Sequence, residues 1–217
     1  MTGRLAAILF SEMARVAGNR DKILDAAWEL FWQSGYHSTS IADIAKRARL
    51  PKGSIYNYFE SKDELLAAAL ARLRYQYETQ LRVIVLAGTH SPQVLVEKLL
   101  GHYAAEYAAH GFGRGDPLGS RLNELADTHP ALASELARLL AAWRTVLTQK
   151  IWAYATVAGI PELVEKADGL AGIIQAALQG VLLQMKALRS VQPLDDARAY
   201  LVPMVASYVN AVATGDL

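Results

Sequence analysis

The chain is 217 residues long, 53% hydrophobic and 20% charged, with a mean hydropathy of +0.13, a balance that supports one large or two small domains with a buried core and excludes a disordered or collagen-like chain. The 22 basic and 21 acidic residues leave a formal charge of +1, so any affinity for nucleic acid or membrane has to come from local placement rather than from the total. With no cysteine, a disulfide framework, a Cys-ligated zinc site, an iron–sulfur cluster and a thiol nucleophile are excluded, and a reducing cytoplasm is the expected compartment.

At the N-terminus, Arg4 precedes six apolar residues, Leu5 to Phe10, followed by Ser11, Glu12 and Arg15. That core is too short for a secretory signal. Residues 1–18 read as a flexible or weakly helical extension, with Met13 as an alternative start that would leave residues 1–12 outside the native chain. No segment approaches the roughly 20 uninterrupted apolar residues needed to span a bilayer, and no membrane partner is expected. From residue 20 onward the periodicity is helical, as in Ile23, Ala26, Ala27, Leu30 and Phe31, then Leu65, Leu66, Ala69, Leu70 and Leu73, then Leu132, Leu136, Leu139, Leu140 and Trp143. No pair of alternating β-branched runs joined by a turn is present, so the expected fold is all-α.

Capping and breaking residues divide the chain into about nine helices, near 20–34, 40–47, 51–58, 61–86, 92–110, 116–127, 130–157, 161–190 and 194–213. Ser91-Pro92, Asp116-Pro117 and His129-Pro130 place proline at a first helical position, and Ser91 and Asp116 can accept first-turn N–H groups. Ser61-Lys62-Asp63-Glu64 reads as a capping box. Gly159-Ile160-Pro161 ends one helix and opens the next.

Residues 40–59 read SIADIAKRARLPKGSIYNYF. Ser40 can cap a helix that turns Ile41, Ile44 and Ala45 inward. Ala48-Arg49-Leu50 makes a tight connection, and Ile55 and Phe59 anchor a second short helix that leaves Lys52, Ser54, Tyr56, Asn57 and Tyr58 at its rim. Two short helices with this turn, the second carrying amide, hydroxyl and phenol groups, suit entry into a DNA major groove. Lys46, Arg47, Arg49 and Lys52 lie in a stretch without acidic residues from Ile44 to Phe59, and Lys62 follows; such cations, with Thr39, Ser40 and Tyr56 hydroxyls, can hold phosphates. The Asn57 amide can read a base edge, and Gly53 allows close backbone approach.

The run Ile23-Leu24 to Leu30-Phe31, Gly35-Tyr36, Thr39-Ser40-Ile41, Ile44-Ala45, Lys52-Gly53-Ser54-Ile55-Tyr56-x-Tyr58-Phe59 and Lys62-Asp63-Glu64-Leu65-Leu66 closely resembles the N-terminal domain of the TetR family of bacterial transcriptional regulators. The resemblance implies a helix-turn-helix domain over 19–66 and a ligand-binding and dimerisation domain over 67–217, in a homodimer whose recognition helices dock in successive major grooves of a palindromic operator. It assigns Thr39, Ser40, Lys52, Gly53, Ser54, Tyr56, Asn57 and Lys62 to DNA contact. Asn57 stands where the family more often has histidine. The implied mechanism is that of a repressor released by a small-molecule inducer, with helix 61–86 as the lever and no catalytic activity or cofactor.

In the body, the apolar faces of 161–190, interspersed with Gly169, Gly172 and Gly180, and of 194–213 are expected to join two copies. Aromatic and polar residues that interleave there, Tyr75, Tyr103, Tyr107, Asn123, Trp143 and Gln175 among them, are candidates for the ligand pocket. Gly115 to Gly119 and Glu124 to Asp127 resemble family members that respond to xenobiotic or reactive carbonyl compounds and often carry cysteine where Asp116 stands; thiol sensing is excluded here. His102, Glu106 and His110, at four-residue steps, read as a polar edge rather than a metal site. Gly111, Gly113 and Gly115 lack the strand and the Gly-Lys-Ser/Thr of a phosphate loop. The competing reading is a helical-bundle carrier or enzyme that binds no DNA.

Overall fold

A computed structural model describes residues 2–86, 90–113 and 129–216. All regular elements among them are helical: α1 (Thr2–Ser34), α2 (Ile41–Ala48), α3 (Lys52–Tyr56), α4 (Lys62–Leu86), α5 (Pro92–His110) with a 3-10 turn Gly111–Gly113, α6 (Pro130–Ala158), α7 (Pro161–Leu188), α8 (Gln192–Asp196), a π turn Ala197–Leu201, and α9 (Val202–Thr214). The helix expected over 116–127 lies outside the described residues. The chain divides into two compact units, Met1–Arg72 and Leu73–Leu217, and the boundary falls inside α4.

The extension is helical and continuous with the first amphipathic helix. Gly18 and Asn19 do not interrupt α1, since one glycine costs a helix interior only about 1 kcal/mol. In the first unit α1 packs on α2 and α2 on α3, around Ile23, Ala27, Phe31, Ile44, Ile55, Phe59, Leu65 and Leu66, all buried. Gly35 ends α1 with φ 85°, a left-handed conformation that glycine adopts without a Cβ clash. Ser40 caps α2 in a reciprocal box: the Asp43 N–H donates to Ser40 Oγ at 3.1 Å and the Ser40 N–H to Asp43 Oδ2 at 3.1 Å. At α4 the Glu64 N–H donates to Ser61 Oγ, but the Glu64 carboxylate accepts the N–H of Glu60 rather than that of Ser61.

In the second unit α6 and α7 form the most extensive pairing, with α9 against α5 and α7, and α8 against α7. Leu99, Leu100, Leu147, Ile151, Ala171, Ile174, Leu178 and Met185 make its core. Prolines open α5, α6 and α7. Ser91 sits at the N-cap of α5 without a side-chain capping bond; Asp116 lies outside the described residues. Gly159 ends α6 at φ 69°. α7 is long and apolar enough to cross a membrane by length and composition alone, yet it packs along α6. The run expected as one helix over 194–213 contains a π turn, where the Val202 N–H reaches back five residues to the Ala197 carbonyl. Pro203 has no N–H for the turn before it, which accounts for the wider spacing.

Candidate functional site

The first unit presents α3 with its apolar side turned in. Ile55 and Phe59 are buried, whereas Lys52, Gly53 and Asn57 are exposed, Ser54 is half-buried and Tyr56 is 53% exposed. A Cβ added at Gly53 would meet nothing, so outward space rather than internal packing accommodates this glycine. The turn into α3 is set by Arg49 at the C-cap of α2 (φ 56°, ψ 43°), with its N–H on the Ala45 and Lys46 carbonyls and the Leu50 N–H on the Ala45 carbonyl at 3.0 Å.

The cations around α3 have different surroundings. Arg47 forms a two-pronged pair with Glu29, its Nε donating to Oε2 at 2.9 Å, and this pair ties α2 to α1. Lys46 faces Asp43, whose carboxyl is held below its ordinary pKa first by the Ser40 hydroxyl, then by the Ser40 N–H, with a smaller contribution from Lys46. The Lys62 ammonium lies 4.1 Å from the centre of the Tyr36 ring, and partial burial lowers its pKa against the opposing pull of Asp63. The Tyr36 hydroxyl donates to Asp63; burial, then that bond, raises the phenol pKa. Arg49 and Lys52 are exposed and have no ion pair among the described residues.

Two of the expected DNA-contacting groups are committed within the fold. Thr39 is only 3% exposed, its hydroxyl shared between the carbonyls of Gly35 (2.8 Å) and Leu30 (3.2 Å) and its N–H on the Tyr36 carbonyl; its place is in the joint between α1 and α2, not on the surface. Ser40 is exposed, but its hydroxyl serves the cap of α2 and donates to Asp43 Oδ2 at 2.6 Å. The remaining six, Lys52, Gly53, Ser54, Tyr56, Asn57 and Lys62, share α3 and the start of α4.

The expected ligand residues fare unevenly. Tyr75 is 73% exposed; the aromatic spacing that nominated it does not say which side of α4 is covered. Asn123 lies outside the described residues. Tyr103, Tyr107, Trp143 and Gln175 are buried. Gln175 Nε2 donates to the Leu140 carbonyl at 3.0 Å and the Tyr107 hydroxyl to the Leu182 carbonyl at 3.1 Å. Trp143 buries its indole N–H without an acceptor among the described residues.

Tyr107 also lines a cleft of about 400 Å³ with Ala104, Ala108, Phe112, Leu194 and Arg198. Tyr107 and Phe112 tilt against each other with centroids 5.6 Å apart, and Arg198 Nε donates to Glu97 at 2.7 Å. Sequence reasoning did not find Phe112, Leu194 or Arg198 because they join Tyr107 only through the packing of chain-distant helices. Among the described residues no three His, Asp or Glu side chains converge as a metal site; the His110 side chain and Gly115 lie outside them.

Residues 23–69 match the family model for bacterial regulatory proteins of the tetR family, and residues 92–200 match that for the C-terminal domain of LmrA/YxaF-like transcriptional regulators. The chain is 27% identical over 176 residues to the HTH-type transcriptional repressor DhaR of Mycobacterium sp. (strain GP1), covering 81% of this chain and 86% of that one. It is 25% identical over 165 residues to the HTH-type transcriptional regulator YxaF of Bacillus subtilis (strain 168), covering 76% and 83%. The fold superposes on a crystal structure of a TetR transcriptional regulator from Chloroflexus aurantiacus J-10-FL with a TM-score of 0.74 at 28% identity, over 89% of this chain and 96% of that one.

Proposed function

This chain belongs to the TetR family and is a DNA-binding transcriptional regulator, and from that premise we propose that it is a homodimeric repressor, released from a palindromic operator by a small-molecule inducer. The observation that carries the reading is α3, anchored by Ile55 and Phe59 and offering Lys52, Gly53, Ser54, Tyr56 and Asn57 outward. Phosphate contacts from Lys52 and Lys62 set affinity and register, while Asn57 reads a base edge. Because its substrate is DNA, the protein works in the cytoplasm. It acts by binding and has no catalytic role.

The second copy is recognised through α7, the π turn and α9. Ile173 and Met204 are each 67% exposed, with Leu183 and Tyr200 also open to solvent, and Gly169 and Gly180 have free space above them. Such an apolar surface with small residues suits a two-fold helix–helix contact. For the inducer, the second unit offers the Tyr107–Phe112 cleft, whose lining favours a mostly apolar compound. Release requires that the inducer bind the DNA-incompetent form better, so that it shifts the population away from the operator. The Gly- and Pro-free helix α4, continuous from Lys62 to Leu86, is the element that responds. Mobility shift with a duplex from immediately upstream of the gene tests the reading: retardation by a dimer is expected, and its absence at low salt would favour a carrier or enzyme instead.

A further inference from the structure

The turn between α2 and α3 requires a left-handed residue, and this chain places an arginine there. Where other helices end in the same conformation, the described residues have Gly35, Gly159 and Gly215, at φ 85°, 69° and 76°. Arg49 adopts φ 56° and ψ 43°, where a Cβ crowds the following carbonyl and glycine is preferred. A cation gains something from lying at a helix C-terminus, but Arg189, at φ 50° after α7, gains that too, so the two arginines form an internal comparison.

Arg49 differs from most of the cations around α3 in its surroundings. Arg47 is neutralised by Glu29, Lys46 faces Asp43, and Lys62 lies over Tyr36 beside Asp63. Arg49 and Lys52 are exposed without a carboxylate partner among the described residues, one at each end of the turn that delivers α3. Resting on the DNA-binding reading, we propose that Arg49 is a phosphate-contacting residue of the operator interface, held in a strained backbone conformation because its planar, multi-donor guanidinium clamps a DNA phosphate at the entry to α3.

Stability and DNA binding then respond in opposite directions. Arg49→Gly relieves the backbone and raises the melting temperature by about 2–4 °C, but it weakens binding to the upstream duplex on the order of tenfold at 0.1 M salt, since a dimer loses two charge-assisted contacts. The slope of log affinity against log salt becomes shallower by about 1.8, two contacts at about 0.9 each. Arg49→Asn, which tolerates the left-handed region, behaves like Arg49→Gly, whereas Arg49→Lys keeps the wild-type slope. Arg189→Gly raises the melting temperature and leaves DNA binding untouched. Fluorescence anisotropy across a salt series, with thermal unfolding of the same dimers, reads all of these. If Arg49→Gly is stabilised and binds with the wild-type slope and affinity, Arg49 is no more than a tolerated cap and the proposal fails. A wild-type dimer that binds no upstream duplex at low salt would instead overturn the regulator reading on which the proposal rests.

Discussion

Thr39 provides a sharp test of how the helix-turn-helix is held, because its hydroxyl can serve only one of two incompatible roles. As a phosphate contact it would face DNA; in the structure it is buried at 3% exposure and divides its proton between the Gly35 and Leu30 carbonyls, at 2.8 and 3.2 Å. Thr39→Val keeps the shape and removes the donor, leaving two buried acceptors unserved by it. A lost buried hydrogen bond of this kind costs about 1–2 kcal/mol, and for a chain of this size each kcal/mol moves the melting temperature by about 2–4 °C. The expected drop is therefore about 2–8 °C, with a matching fall in the urea midpoint and recovery of most of it in Thr39→Ser. Operator affinity extrapolated to temperatures where both proteins are folded stays close to wild type, and the salt slope does not change. A variant that melts within about 1 °C of wild type while its salt slope flattens by about 1.8 for the dimer would refute the reasoning and return Thr39 to the DNA surface.

Tyr36→Leu removes the ring under Lys62 and should weaken operator binding several-fold, a cation–π contact being worth about 0.5–1 kcal/mol per site, whereas Tyr36→Phe keeps the ring and loses the hydroxyl's tie to Asp63; anisotropy titrations of the two variants separate these roles. The cap at α2 has a defined pH window. Because hydrogen bonds from Ser40 lower the Asp43 pKa, its stabilisation is fully present above the ordinary carboxylate value of 3.8 and disappears as pH falls through the lowered folded value. Urea midpoints of wild type and Asp43→Asn should therefore differ at pH 7 and converge in strong acid. Ile173→Asp combined with Met204→Asp places charge on the exposed apolar face of α7 and α9 and should convert dimer to monomer in sedimentation velocity, with helical content retained.

The parts of this molecule legible in the sequence are those specified by short-range spacing. Ile44, Ala45, Ile55 and Phe59 lie within two turns of the breaks that orient them, so their periodicity announced their burial. Elements that depend on competition between local and distant forces were less visible. Residues 1–18 read as a flexible or weakly helical extension, whereas α1 runs through Gly18, since a long helix absorbs one glycine. Pro203 sits inside a strong apolar repeat, and its missing N–H widens a turn without ending the helix. A threonine hydroxyl next to a helix start suits a phosphate or a carbonyl equally well, and local spacing does not show how deeply Thr39 lies. The cleft at Tyr107 pairs one end of α5 with Arg198, about 90 residues along the chain, and no local pattern encodes that meeting.

The Asp43 carboxylate, fastened over the first turn of α2 by the Ser40 N–H and hydroxyl, amounts to a resident anion. Where a helix start would otherwise attract any passing phosphate, this one is already satisfied from within. A phosphate approaching this helix start meets a carboxylate rather than free N–H groups, a charge that opposes every duplex alike and so lowers affinity without choosing between sequences.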